Sequence, residues 1–236
     1  MKPAKHTKGS AVREPRRTAP RRAPGADLAD QAHARLEEMI VTLELPPGSV
    51  WSELELSVRL GIGRTPVREA LQRLESDHLI QIVPRFGARV TEIDVMQQLL
   101  LLELRRELER LVAVTAARRS TAEERTELLR MAEQLEKFAE GDVLPYLRLH
   151  YSAKRFMAEC ARNPYVARAI APSHAMSRRF YYLHYRKVHD VPVAARTHVE
   201  VIRAVVMGDE KAAAAASDRM MDYVEKITRA TVLSKF

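Results

Sequence analysis

The chain has 236 residues, enough for one large domain or two ordinary ones with a substantial hydrophobic core. A single cysteine, Cys160, excludes an internal disulfide and favours a reducing compartment. No apolar run approaches membrane-spanning length, and the basic N-terminus lacks the apolar segment of a secretory signal. We therefore expect a cytoplasmic protein with no membrane partner.

The net charge of +8 is unevenly distributed along the chain. Residues 1–26 carry eight basic side chains and one acidic one, residues 27–93 carry seven and eleven, and residues 94–236 carry 24 and 19. The middle segment is therefore net acidic, and its arginines lie mostly in its second half. Such an asymmetry predicts one basic face on an acidic body.

Residues 1–26 are rich in Lys, Arg, Pro and Ala and almost lack large aliphatic side chains. Such a segment cannot bury enough apolar surface to fold, so we predict a disordered basic arm. The arm serves either to bind nucleic acid nonspecifically, with an affinity that salt weakens, or to keep the protein soluble. The composition favours neither alternative over the other.

The first two helical patterns follow from Asp27 onward. The first ends at the turn Pro46–Gly48, which cannot continue a helix. The second begins at Ser52, where Glu55 completes a capping box, and ends at Gly61. Its predicted buried side chains are Leu54, Leu56, Val58 and Leu60.

A third helix follows a tight turn, with Pro66 in its first turn and apolar side chains at i, i+3, i+4 and i+7. Two short β-like runs then cover residues 79–83 and 88–91, and residues 84–87 join them as a hairpin tip. Three helices and a two-stranded hairpin predict a winged helix-turn-helix domain over residues 27–93.

Residues 94–236 show helical patterns throughout. The six candidate helices cover roughly residues 94–118, 121–140, 144–161, 164–187, 193–207 and 209–232. No strand pattern interrupts them, so we predict one antiparallel all-α bundle and a mainly α fold class.

The third helix carries arginines at its N-terminal end, within the sequence GRTPVREALQRLE. The N-terminus of a recognition helix faces the DNA, and the forked donors of arginine match guanine in the major groove. A basic hairpin tip would meet the neighbouring minor groove or backbone. The predicted DNA contacts are Arg64, Thr65 and Arg68 on the helix and Arg85, Gly87 and Arg89 on the hairpin. The alternative is a solvated basic face, which we expect for Arg73 paired with Glu69.

The stretch LELPPGSVWSELELSVRLGIGRTPVREALQRLESDHLIQIVPRFGARV resembles the winged-helix domain of GntR-type bacterial transcription regulators. The resemblance implies that the residues matching Arg64, Thr65, Arg68 and the hairpin tip contact operator DNA. Two positions depart from the family. Gly63 replaces a usual Ser or Thr, and Leu54 stands where an Arg is common. No known operator sequence therefore carries over to this chain.

The stretches LELRRELERLVAVTAA, FMAECARNPYV and THVEVIRAVVMGDEKAAAAA resemble the all-helical effector domain of the FadR-like branch of that family. The resemblance implies a dimerisation and effector-binding domain over residues 94–236 and a homodimer on a palindromic operator. Many members hold a divalent metal there with one Asp and three His.

Of the four metal-ligand positions of that branch, only two carry a side chain of a suitable ligand type in this chain. The resemblance assigns His150 to the Asp position, Lys154 and Met220 to two His positions, and His198 to the third. A protonated Lys cannot ligate a metal, and Met is a poor ligand for hard divalent ions. We therefore predict no metal cofactor, and His150 and His198 remain as the residues of an alternative metal site.

We predict instead a metal-free pocket for a small carboxylate effector. The ammonium of Lys154 would bind the carboxylate, and so would the guanidinium of Arg105, which by the resemblance matches a position that often faces the effector in this branch. His150 and His198 would supply hydrogen bonds. In the alternative interpretation Lys154 reaches solvent, Arg105 pairs with Glu109, and the histidines are satisfied packing residues.

Together these patterns predict a ligand-responsive transcription regulator, a repressor acting as a homodimer on double-stranded operator DNA. Effector binding would shift the spacing of the two winged helices and so change operator affinity. Two other classes remain as alternatives: a metal-dependent enzyme with an incidental winged helix, and a general architectural DNA-binding protein. The sequence has no phosphate-binding Gly loop, nucleophile motif or paired acid and base, so we expect no enzyme.

Overall fold

A computed structural model describes residues 24–138, 143–188 and 191–233. Within these ranges the chain forms nine helices and one three-stranded antiparallel sheet. The predicted basic arm lies outside the described residues, apart from residues 24–26, which begin the first helix.

The N-terminal region is a winged helix-turn-helix, as the sequence predicted. Its elements are α1 (Pro24–Val41), β1 (Val50–Trp51), α2 (Glu53–Leu60), α3 (Arg64–Ser76), β2 (Ile80–Val83) and β3 (Gly87–Val90). The sheet order is β1-β3-β2, and the β2–β3 hairpin pairs Ile80 with Val90 and Val83 with Gly87. Strand β1 was not predicted, because two residues are too short to show an alternating pattern.

Helix α2 has the predicted ends but not all of the predicted buried face. Ser52 and Glu55 form the capping box, and Gly61 ends the helix in the left-handed conformation at φ 66°. Leu56 and Leu60 are buried as predicted. Leu54 and Val58 are exposed, because residues two positions from the buried pair lie about 200° around the helix.

The remaining elements form a helical bundle, also as predicted. They are α4 (Val95–Arg119), α5 (Ala122–Leu135), α6 (Val143–Cys160), α7 (Pro164–Val188), α8 (Val191–Met207) and α9 (Glu210–Leu233). Helix α4 packs along α9 and also contacts α6, α7 and α8, so one of its faces packs against four other helices of the bundle. None of the helices in the described ranges is both long and apolar enough to cross a membrane.

Helix α7 belongs to both halves of the molecule. Its Phe180 and Tyr181 are part of the bundle core, whereas Ala175 is buried in the core of the winged helix. On the same helix, the guanidinium of Arg179 donates to the carbonyl oxygens of Thr91 and Glu92 before α4. The bundle interior and the winged helix are therefore separated by one helix.

Candidate DNA-binding face and effector cavity

A groove runs between the start of α2, the first half of α3 and the β2–β3 hairpin. Four of the six predicted DNA contacts line this groove, namely Arg64, Arg68, Arg85 and Gly87. Thr65 and Arg89 are exposed on α3 and β3 but do not line it. The fold thus brings the basic start of α3 and the basic hairpin tip to one concave surface.

Glu53, the first residue of α2, holds the two arginines of this groove. Arg68 donates to it through two hydrogen bonds, from Nε to Oε1 at 2.9 Å and from Nη2 to Oε2 at 2.8 Å. The Nη2 atom of Arg64 lies 3.8 Å from Oε2. The hydrogen bonds from Arg68 and the charge of both arginines lower the pKa of the Glu53 carboxyl. The sequence analysis did not identify Glu53, because its partners lie on the next helix.

The hairpin tip is fixed by Gly87. Its φ is +109°, and a Cβ at this position would lie 2.2 Å from the carbonyl oxygen of Trp51. Only glycine therefore allows β3 to pack this closely against β1. Phe86 at the tip is 70% exposed, and the sequence analysis did not identify it as part of the groove.

Arg73 lies on α3 outside the groove, but its predicted partner was wrong. Its Nη1 atom donates to Asp30 on α1 at 2.5 Å rather than to Glu69 on its own helix. Helix α3 packs against α1, which brings a carboxylate of the facing helix within reach of the long arginine side chain. Arg73 thus joins α1 and α3.

A small cavity of about 40 Å³ lies inside the bundle, among α4, α6, α7, α8 and α9. All four residues predicted to bind the effector line it, namely Arg105, His150, Lys154 and His198. The other lining side chains include Tyr146, Tyr151, His174, Ser177, Arg178, Tyr181 and Tyr223. The sequence analysis did not connect His174 or Arg178 with this cavity.

Glu109 is the carboxylate at the centre of the cavity's charged groups. It accepts hydrogen bonds from Arg105 Nη2 at 2.9 Å and from Lys154 Nζ at 2.7 Å. His174 Nε2 lies 3.0 Å from the same carboxylate. Burial alone would raise the pKa of Glu109, but Lys154, His174 and Arg105 hold it well below its usual range. Arg105 thus pairs with Glu109, whereas Lys154 does not reach solvent because its side chain is only 5% exposed.

Two basic side chains share one carboxylate in this buried cluster. Burial lowers the pKa of His174 despite the opposing charge of Glu109, which favours its neutral form at pH 7. Burial also lowers the pKa of Lys154, and Glu109 opposes that shift by a 2.7 Å ion pair. Arg105 and Lys154 therefore share one carboxylate. An uncompensated charge in the interior is costly, so with both side chains protonated one of the two positive charges would lack a counter-charge in this cluster.

His150 and His198 face each other with their ring centroids 3.8 Å apart. The Nδ1 atom of His198 lies 2.7 Å from the carbonyl oxygen of Ala194 and must donate to it, so its Nε2 atom is an acceptor. Within the part of the chain that the structure describes, this Nε2 atom and both ring nitrogens of His150 are buried without a protein partner. Burial and the charge of Lys154 lower the pKa of His198 to about 3. The interpretation of these histidines as satisfied packing residues was therefore wrong.

The structure brings together the four positions that the resemblance assigned to a metal. The sulfur of Met220 lies 3.2 Å from Lys154 Nζ, beside the His150–His198 pair. A protonated lysine bound to a carboxylate cannot be a ligand, and two imidazoles alone rarely form a tight site. Among the described residues no group of three His, Cys, Asp or Glu is arranged to hold a metal ion. The residues present do not fit a divalent metal.

Comparisons with known proteins agree with both halves of this description. Residues 28–90 match the family "Bacterial regulatory proteins, gntR family", and residues 100–223 match the "FCD domain" family. A Streptomyces ambofaciens protein named "Uncharacterized HTH-type transcriptional regulator in unstable DNA locus" is 44% identical over 62 residues, 26% of each chain. The Escherichia coli "HTH-type transcriptional repressor RspR" is 39% identical over 74 residues, 31% of this chain and 32% of that protein.

These matches span only about a quarter to a third of those two relatives. Over the whole fold, the solved structure titled "E. coli McbR/YncC" superposes with a TM-score of 0.76 at 20% identity, covering 87% of this chain and 98% of that one. The FCD match alone covers more than half of the chain. The chain therefore belongs to the gntR family of bacterial DNA-binding transcription regulators, which are not enzymes, and carries an FCD effector-binding domain.

Proposed function

We propose that this protein is an effector-responsive repressor that binds a palindromic operator as a homodimer and responds to a small carboxylate. The two basic side chains that share Glu109 carry the proposal, because with both protonated one of their positive charges would lack a counter-charge, which gives the bundle interior a reason to bind an anion. The arginines that line the groove would bind the operator, and the similarity to a protein named as a repressor favours repression.

The groove supports the DNA-binding half of the proposal. Arg64 and Arg68 have side chains that are 61% and 56% exposed, so DNA can reach them without a change in the fold. Their ion pairs with Glu53 are of the surface type, which water screens and which contributes little to stability. DNA phosphates and guanine edges therefore replace Glu53 at small cost. Thr65, Arg85, Gly87 and Arg89 complete the proposed contact set.

The cavity supports a carboxylate as the effector. A carboxylate beside Arg105 and Lys154 would balance the second cation, and the Nε2 acceptor of His198 would take a hydroxyl or bound water. The cavity volume of about 40 Å³ corresponds to roughly three water-sized positions. A small acid therefore fits first, and a larger one requires the walls to move.

An exposed apolar stripe on α4 supports the homodimer. Met96, Leu100, Leu104 and Leu111 are 63%, 57%, 55% and 43% exposed and follow one another at helical spacing. A contiguous apolar stripe of this kind marks an interface, and a second copy of the chain would place two winged helices on a two-fold operator.

The stripe is tested by sedimentation equilibrium. The double variant Leu100→Glu, Leu104→Glu is expected to be monomeric at concentrations where the wild type is dimeric. Met207→Glu, at an apolar side chain that is 80% exposed at the end of α8, is the matched control and is expected to stay dimeric. A dimeric Leu100→Glu, Leu104→Glu variant would contradict this interface.

The regulator itself is tested with two measurements on the full chain. DNase footprinting on the DNA flanking its own gene is expected to show a discrete protected palindrome, whereas uniform coating would support a general architectural protein. Calorimetric titration with small carboxylates is expected to show saturable binding that Lys154→Met abolishes. Binding unaffected by Lys154→Met would contradict the assignment of the cavity.

A further inference from the structure

Arg178 on α7 belongs to the cavity and to the contact between the two domains. Its side chain lines the cavity and is only 6% exposed. Its Nη1 atom donates to Glu37 at 3.1 Å and its Nη2 atom to Glu38 at 2.6 Å, and both acceptors are on α1 of the winged helix. A single guanidinium thus connects the inside of the bundle to the DNA-binding domain.

Tyr151 on α6 holds Arg178 between these two environments. The guanidinium carbon of Arg178 lies 4.1 Å from the centre of the Tyr151 ring, which also lines the cavity. Burial, the charge of Glu37 and a hydrogen bond to that carboxylate raise the pKa of Tyr151 to about 12, so its hydroxyl stays protonated. Both side chains of this wall therefore have the same partner, Glu37.

The cavity has two polar walls, and the cationic side chains of each wall are bound by different carboxylates. Arg105 and Lys154 are fixed by Glu109, which is 1% exposed and so is shielded from bulk water. Arg178 is held by Glu37 and Glu38, whose side chains are 12% and 33% exposed. The carboxylates on the α1 side can therefore be hydrated when they lose Arg178, whereas Glu109 cannot.

The size of the cavity makes this difference matter. An acid that occupies more than roughly three water-sized positions must displace part of the wall. Compared with Arg105 and Lys154, Arg178 has the partners that are most easily replaced, so such an acid would bind Arg178. The Nε atom of Arg178 is buried without a partner in the described structure and offers a further donor.

We propose that a carboxylate bound in the cavity withdraws Arg178 from Glu37 and Glu38 and thereby loosens the winged helix from α7. The inference rests on the proposed function, because it assumes that an acid is the effector. The acid and the two α1 carboxylates compete for one guanidinium. By linkage, if the acid weakens the contact of Arg178 with the α1 carboxylates, that contact also weakens acid binding, so removing these carboxylates must strengthen acid binding.

Arg179 provides the matched control. It is 3% exposed and also ties α7 to the winged helix, through Thr91 and Glu92, but it does not line the cavity. If acid binding is coupled to domain docking in general, changing Arg179 acts like changing Glu37 and Glu38. If the competition is for Arg178 itself, it does not.

The experiment titrates formate, acetate, glycolate, oxalate and succinate into the full-length protein by calorimetry. The double variant Glu37→Gln, Glu38→Gln is expected to bind the acids at least about fivefold more tightly than the wild type. Arg179→Gln is expected to change their affinity less than about twofold, and Arg178→Gln to weaken it. Hydrogen exchange in α1 is expected to increase on acid binding in the wild type but not in Arg178→Gln.

The outcomes separate the two proposals. Equal acid affinity in the wild type and the Glu37→Gln, Glu38→Gln variant would overturn the competition while leaving the carboxylate effector intact. An Arg179→Gln variant that binds as tightly as the double variant would overturn the role of Arg178 in favour of general docking. No saturable binding of any of the acids to any variant would overturn the proposed effector, and the competition with it.

Discussion

Two carboxylates in this protein each hold a pair of cationic side chains, one at the surface and one in the interior. Glu53 holds the two arginines at the start of α3, which are more than half exposed, whereas Glu109 holds Arg105 and Lys154 inside the bundle. The surface pairs are easily exchanged because water screens them. Breaking an interior pair would leave a buried charge without a partner. A ligand there must therefore bind in addition to the side chains of the cluster rather than displace one of them.

The largest effect, on the free energy of unfolding, is expected when each of these two carboxylates is removed, and it should differ most between the interior and the surface. Glu109→Gln keeps the shape but strands two buried cations, so we expect a loss of roughly 3–5 kcal/mol in the free energy of unfolding. Glu53→Gln is expected to change it by less than about 1 kcal/mol. Urea denaturation of both variants measures the difference.

A second variant keeps this test decisive if Glu109→Gln folds poorly. Adding Lys154→Met removes one of the two stranded cations, and we expect it to recover part of the lost stability. Equal losses for Glu109→Gln and Glu53→Gln, or no recovery in the double variant, would mean that burial does not set the strength of these pairs.

The next effect concerns DNA. Arg64→Ala and Arg68→Ala are each expected to weaken operator binding by about 1–3 kcal/mol and to relax specificity at one base pair. Arg73→Ala is the control, because that side chain pairs with Asp30 away from the groove. Fluorescence anisotropy with the footprinted operator and with random duplex measures the changes. Equal losses on both DNAs would assign Arg64 and Arg68 to phosphates rather than bases.

A smaller effect is expected from acid titration of the interior. The pKa of His198 is lowered to about 3, so between roughly pH 6.5 and 3 the unfolded chain binds a proton that the folded chain does not. The free energy of unfolding therefore falls as the pH falls, by about 1.4 kcal/mol per pH unit for this one group. Buried His150 and His174, whose pKa values are also lowered, act in the same direction.

Chemical denaturation at pH 7, 6 and 5 measures this slope. Glu109 does not contribute in that range, because its lowered pKa costs stability only when the pH falls below the ordinary carboxyl range. His198→Gln is expected to give a shallower slope, because it removes this buried imidazole. An unchanged slope in His198→Gln would contradict the buried neutral imidazole.

The sequence predicts interactions between residues that are close in the chain better than interactions between residues that are distant in the chain. The capping box of α2 depends on residues three positions apart, and its prediction was confirmed. The exposure of Leu54 and Val58 depends on how α2 is placed against its neighbours, and the prediction that they are buried was wrong. The pairing of Arg178 with Glu37 joins residues 141 positions apart, and no local pattern indicates it.

The site shows the same division. The resemblance placed Arg105, His150, Lys154 and His198 in one pocket, and the four side chains do line one cavity. The pair of Arg105 with Glu109 was predicted only within the alternative interpretation, because an i, i+4 pair on a helix is usually a surface feature, and no pattern indicated that Lys154 shares the same carboxylate. Burial converts that ordinary spacing into the centre of the cluster, and burial is a property of the packed fold.

The smallest expected effect comes from Gly63, the residue before α3 that departs from the family. It gives the helix no side-chain cap, yet its φ of −58° suits any residue. An added Cβ would meet only Pro66, at 3.9 Å, an ordinary contact, so a serine fits here. Gly63→Ser is expected to stabilise the protein by a few tenths of a kcal/mol, roughly the difference between glycine and serine caps.

The same hydroxyl distinguishes phosphate contacts from base reading in the groove. A serine at the helix start would donate to a phosphate, which carries no sequence information, so Gly63→Ser should strengthen binding to operator and random DNA equally. Gly63→Ala fits equally well but adds no hydroxyl, and should strengthen neither. A gain confined to the operator would show that this position takes part in specificity, and the exposed arginines would then not be the only groups on α3 that read the sequence.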